Sequence, residues 1–158
     1  MPSRAQPASA PTDAVPDLAC ACATVRRASR LVSQLYGNHL REHDTEPAQM
    51  ALLMVLDRWP GKSQVALTKM AGMDKTSLSR NLSLLKRKGI VESATVQGQR
   101  ELGFFLTTAG QRRFKAAKPG WSRAQGELRA AMTAKEWNAM WKTFTTLSRV
   151  ASQLALTS

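Results

Sequence analysis

The chain has only two cysteines, two histidines and one tyrosine among its 158 residues. Two cysteines are too few for a disulfide scaffold. Cys20 and Cys22 also project about 200° apart on a helix, so they cannot bond within one. His39 and His43 share one predicted helix end, which leaves little for general acid–base chemistry. They stand at i, i+4 beside Glu42, a spacing that can bind metal, but no further histidine completes a ligand set. P-loop, dinucleotide and nucleophile-elbow patterns are all missing. The expectation is therefore no enzyme, no cofactor and no metal. No run approaches the roughly 18 apolar residues of a membrane span. Residues 1–16 contain four prolines and no apolar signal-type run. They read as a disordered tail, and the protein as cytoplasmic and away from membranes.

Acidic residues are scarce in one region only. Residues 1–60 carry six basic and six acidic side chains, whereas 61–158 carry seventeen and five. The whole formal net charge of +12 therefore lies in the second part. Such a surface points to a phosphate-rich partner.

Residues 74–107 refine that partner. Leu78, Leu82 and Leu85 recur at i, i+4 and i+7 and form one apolar helix face. Thr76, Arg80, Ser83 and Arg87 point the other way, flanked by Ser77 and Ser79. Asp74 can cap the start of this helix and Gly89 can end it. Ile90–Val96 and Glu101–Thr107 read as two strands around a tip with Gly98 and Arg100. Just before, Ser63 can cap a short helix, Gln64–Ala71, and Gly72-Met73 supplies a tight turn. Two helices joined by such a turn form the helix-turn-helix pattern. Small hydroxyls and an Arg on the second helix suit a major groove. An Arg-tipped hairpin suits the adjacent minor groove. The partner is then double-stranded DNA.

Helices flank this unit. The first is expected over 17–43, with Leu18, Cys22, Val25, Ser29, Val32, Tyr36 and Leu40 as a buried stripe. A second, over 47–58, opens with Pro47 and ends before Pro60-Gly61. A fifth runs over 108–131, where Pro119 should kink or interrupt it. The sixth starts at a capping box, Thr133 with Glu136. It continues through Trp137, Met140, Trp141, Phe144, Leu147, Val150 and Leu154. Such wide apolar faces call for a second copy of the chain. The fold class is mainly α with a small β-hairpin wing. Its parts are a tail (1–16), an N-terminal dimerisation helix (17–46), a winged helix-turn-helix (47–107) and C-terminal dimerisation helices (108–158). A dimer would meet a pseudo-palindromic operator through successive major grooves.

The segments RRASRLVSQLYGNHL, PAQMALLMVL, DKTSLSRNLSLLKRKGIVE, RELGFFLTTAG and KPGWSRAQGEL together resemble the multiple-antibiotic-resistance regulator (MarR) family. The resemblance covers nearly everything after the tail. The family's spacing from the wing Arg to LT-x-x-G is kept, from Arg100 to Thr107. One departure is Gly98, where members usually carry an Asp that helps hold the wing Arg. The resemblance implies a dimeric repressor, released from its operator by a small ligand or by thiol oxidation.

The candidate DNA-binding residues are Lys75, Thr76, Ser77, Ser79, Arg80, Arg87 and Arg100. Arg80 is open between reading a base and touching a phosphate. The first-turn residues suit phosphate at a helix N-terminus. Asn81 projects toward the buried side and reads as structural. Lys86, Arg87 and Lys88 are either a phosphate cluster or a solvated helix end. Tyr36, Met50, Met54 and Trp121 are candidates for a cleft between the first, second and fifth helices, holding a small aromatic anion; the plainer alternative is core. Cys22 is the redox candidate. Its spacing to Ser29, Arg30 and Tyr36 is similar to that of the family's hydroperoxide-sensing branch. Arg26 could favour its thiolate, though that branch has a Tyr there, and a buried cysteine is usually inert. A further alternative is an architectural DNA-binding protein with little sequence preference.

Overall fold

The computed structural model describes residues 19–157; the expected tail, with Leu18, lies outside them. Six helices and three short strands appear in the order α1 (Ala21–Leu40), α2 (Pro47–Arg58), β1 (Lys62–Ser63), α3 (Gln64–Ala71), α4 (Lys75–Arg87), β2 (Val91–Thr95), β3 (Leu102–Leu106), α5 (Thr108–Ala130) and α6 (Ala134–Thr157). A 3-10 turn, Arg41–His43, follows α1, so the first α-helix stops at Leu40, short of the expected end at His43.

The chain divides into two units between Val32 and Ser33. The first holds the early turns of α1. There Cys22 and Ser29 are exposed and Val25 is half-buried. Leu31 and Val32 are exposed as well. The expectation of a buried Cys22 is thus corrected for the single chain. An apolar stripe is buried only where something packs on it, and of the α1 stripe only Leu40 is buried.

The second unit contains the core. Leu40, Met50, Leu52, Leu53, Leu56, Leu67 and Leu78 are essentially inaccessible. They join α2, α3 and α4 to Phe114 and Ala117 of α5 in one cluster. The helix starts follow local chemistry. Pro47 stands at the first turn of α2, where its missing N–H costs nothing, behind a capping box of Glu46 and Gln49. Ser63 and Asp74 cap α3 and α4 through the amides of Ala66 and Ser77. Thr107 caps α5 through Gly110 N–H at 3.0 Å. The α6 capping box forms, with Thr133 N–H donating to Glu136 at 2.8 Å and Glu136 N–H donating back at 3.2 Å.

The sheet has order β1-β3-β2. The expected hairpin pairs Val91 with Leu106 and Thr95 with Leu102. β1 adds a third strand, which has only two residues and carries no periodic signal; it pairs Lys62 with Phe104. α5 is one helix through Pro119, so the expected interruption does not occur. Phe114, Ala117, Gly120 and Ala124 are buried on both sides of the proline and carry the helix across it. A Cβ on Gly120 would lie 2.4 Å from the His39 carbonyl oxygen, so the Pro-Gly step sits where α5 crosses the end of α1. No helix among the described residues is long and apolar enough to cross a membrane.

Candidate nucleic-acid interface

α4 is positioned from both sides. Leu78, Leu82 and Leu85 are buried in the core, which turns the opposite face outward. Lys75, Thr76, Ser79, Arg80 and Arg87 are all exposed. Ser77 differs from them: it is half-buried and its hydroxyl donates to Asp74 at 2.6 Å. That hydroxyl completes the cap and holds the Asp74 carboxyl below the usual carboxylate range. Asn81 donates to the Ser77 carbonyl at 2.9 Å, a contact within the helix.

The basic cluster at the end of α4 proves divided. Lys86 donates to Ser93 of β2 at 2.7 Å and so ties the helix to the wing. Lys88 reaches Asp44 at 3.0 Å. Arg87 is exposed beside them. Nothing in the local sequence separates these three, because their partners lie on other elements.

The wing tip turns at Val96–Gln99, with Gln99 N–H donating to the Val96 carbonyl at 3.0 Å. Gly98 sits there at φ 79, a left-handed conformation that glycine adopts without strain. Arg100 follows and is exposed. Between α3 and β3 lies a groove of about 610 Å³, lined by Val65, Lys69, Lys75, Leu102 and Phe104 among others. Its exposed Val65 and Leu102 were not singled out in the sequence, since lone apolar residues on a surface carry no periodic signal.

A second cavity, of about 530 Å³, brings together Met50, Met54 and Trp121 with Trp59, Phe114 and Lys118. Its walls are α2, α3 and α5, with Met70 and Ala71 supplied by α3. The expected cleft lay between α1, α2 and α5 and counted Tyr36 among its residues. Tyr36 is absent from the lining; it donates to Gln125 of α5, and burial pushes its hydroxyl pKa up. Asp57, Arg58 and Lys118 bring charge to the rim, and the Arg58 guanidinium lies 5.6 Å from the Trp59 ring centre.

His39 and His43 are engaged separately. His39 meets Glu127 of α5 at 3.0 Å. His43 lies 3.2 Å from Glu42, and its buried Nε2 makes no hydrogen bond. Among the described residues no cluster of three or more His, Cys, Asp or Glu side chains is arranged to hold a metal ion.

The sequence profile of the MarR family matches residues 43–100, which run from the 3-10 turn to the wing tip. No curated protein matches the chain. Among solved structures, the M. tuberculosis transcriptional regulator MosR in complex with DNA is 28% identical, with a TM-score of 0.76 over 85% of this chain and 97% of that one. PcaV of Streptomyces coelicolor, in complex with its natural ligand, is 23% identical, with a TM-score of 0.75 over 87% and 99%. Bordetella bronchiseptica BpsR, whose DNA binding is regulated by 6-hydroxynicotinic acid, is 16% identical, with a TM-score of 0.73 over 83% and 95%.

Proposed function

We propose that this chain is a winged helix-turn-helix transcriptional regulator of the MarR family, and that it acts as a cytoplasmic, homodimeric, sequence-specific repressor; the profile match over residues 43–100 and the likeness to MosR support the family. The observation that carries the reading is α4. Its Leu face is buried in the core, and its Arg80, Ser79 and Thr76 face is exposed. A helix held this way can enter a major groove with Arg80 at a base edge. Lys75 and Thr76 at its start meet phosphate, and Arg87 adds a backbone contact. Arg100 on the wing reaches the neighbouring minor groove. Residues 47–107 then form the DNA-reading part. α1 and the pair α5 and α6 form the dimer.

Arg80→Ala is expected to weaken binding to the selected operator by about 1–3 kcal/mol and to relax preference at one base pair in each half-site. Titrations at one fixed salt concentration check this, since affinity for DNA depends steeply on salt. A variant that binds scrambled duplex as tightly as wild type and loses only operator affinity supports base reading. Equal loss on both reduces Arg80 to a phosphate contact. Failure of the wild-type protein to enrich any sequence from a random library would support the architectural alternative instead.

Release by a small aromatic anion is the second part of the proposal. The cavity of Met50, Met54 and Trp121 is mainly apolar, with Lys118 and Arg58 at its edge. Its α3 wall is the first helix of the helix-turn-helix, so an occupant acts on the element that supports α4. Such a ligand must bind better to a geometry with misplaced recognition helices, because only differential affinity shifts a population. The exposed thiol of Cys22 supports a rival, oxidation by an organic peroxide. Benzoate and salicylate are expected to release wild type and Cys22→Ser equally from operator DNA. Release of wild type alone by cumene hydroperoxide would hand the regulatory step to the thiol.

A further inference from the structure

We infer that Asp44 is a positioning residue that fixes the recognition helix to the α5 shaft through Lys88 and Arg113. The inference rests on the proposal that α4 reads DNA. Asp44 stands in the turn between α1 and α2 and is the one non-glycine residue with positive φ among the described residues, at 47°. Asp tolerates this left-handed region better than most side chains. Its carboxyl accepts Lys88 Nζ at 3.0 Å and Arg113 Nη1 at 3.1 Å. Lys88 is the C-cap of α4, and Arg113 lies in the second turn of α5. The same Arg113 nitrogen also donates to the carbonyls of His43, at 3.1 Å, and of Asp44. One carboxylate thus joins three elements: the end of the recognition helix, the turn after the first helix, and the long helix that continues toward α6.

The bridge is exposed, with 71% of the Asp44 side chain accessible. Exposed ion pairs contribute little to stability. Geometry is where this one acts. The buried leucines hold α4 against the core, but they leave its tilt to contacts at its two ends. The N-terminal end has the tight turn before Asp74; the C-terminal end has the Asp44 bridge and the Lys86–Ser93 contact. Lys88 first and Arg113 second hold the Asp44 carboxyl below the ordinary carboxylate range, so it stays charged at neutral pH. A helix that rocks at this end would keep its attraction for phosphate and lose registry with base edges.

The test compares wild type, Asp44→Asn, Lys88→Met and the double variant. Affinities are measured at fixed salt for a duplex that wild type enriches from a random library and for a scrambled duplex. Simple charge effects move the two single variants in opposite directions, since one removes a negative and the other a positive charge. They leave the ratio of operator to scrambled affinity unchanged. Positioning lowers that ratio several-fold in both, and the double variant falls no further than Asp44→Asn, which already loses both Lys88 and Arg113. An unchanged ratio in either single variant overturns the inference, as does a double variant that falls by the product of the two. If wild type enriches no sequence, the DNA-reading proposal fails along with it. If wild type enriches one and the variants keep its ratio, only the role of Asp44 fails. Asp44→Gly relieves the left-handed backbone while removing the bridge, and a loss of ratio with an undiminished melting temperature there separates positioning from folding.

Discussion

If α6 carries the proposed dimer, Phe144→Asp is expected to leave a monomer and to lower operator affinity on the order of 100-fold or more, since a second recognition helix raises affinity through effective concentration. Trp141, Phe144, Leu147, Val150 and Leu154 are all exposed along α6, the last at 63%. Trp137 packs edge-on against Trp141 with ring centres 5.8 Å apart, which does not cover the outer face. A contiguous apolar patch of this kind marks an interaction surface. A carboxylate at its middle cannot be desolvated there without a partner. Sedimentation at micromolar concentration reads the result directly. A Phe144→Asp protein that remains a dimer and binds operator normally would remove α6 from the interface.

Gly110→Ala is expected to be the most destabilising single methyl in the chain, at about 1–3 kcal/mol or more. A Cβ there would lie 2.1 Å from the Ile90 carbonyl oxygen. That oxygen cannot retreat, because it accepts from Thr107 N–H at 3.1 Å, and the Thr107 hydroxyl bonds the Gly89 carbonyl beside it at 2.6 Å. The clash sits where α5 begins against the turn that ends α4, so operator affinity should fall with stability. Gly126→Ala is the control. Nothing lies within 4 Å of its Cβ position in the same helix. Removing a helical glycine there should stabilise by about 0.5–1 kcal/mol. Chemical denaturation of the two variants checks both signs. Equal effects would show that close packing at Ile90 is not what Gly110 provides.

Much of the helix-turn-helix was legible in the chain. The bounds of α2 and α3, the Asp74 cap of α4 and the Thr133–Glu136 box rest on contacts within four residues. Side chains at that range meet through helix geometry alone, so a pattern of capping and apolar residues determines them. The exposed side of α4 followed from its leucines, because burying one face of a helix turns the other outward.

What the chain alone could not decide are the meetings between distant elements. β1 exists only because β3 lies beside it, forty residues on. Tyr36 belonged by composition with Met50, Met54 and Trp121, yet it meets Gln125 instead, while α3 closes the cavity. Lys86, Arg87 and Lys88 look alike in sequence and part company in space, two of them drawn to Ser93 and Asp44. Cys22 sits on a periodic stripe, yet a single chain leaves it exposed. Periodicity says which residues share a face. Only packing in three dimensions says what, if anything, that face is against.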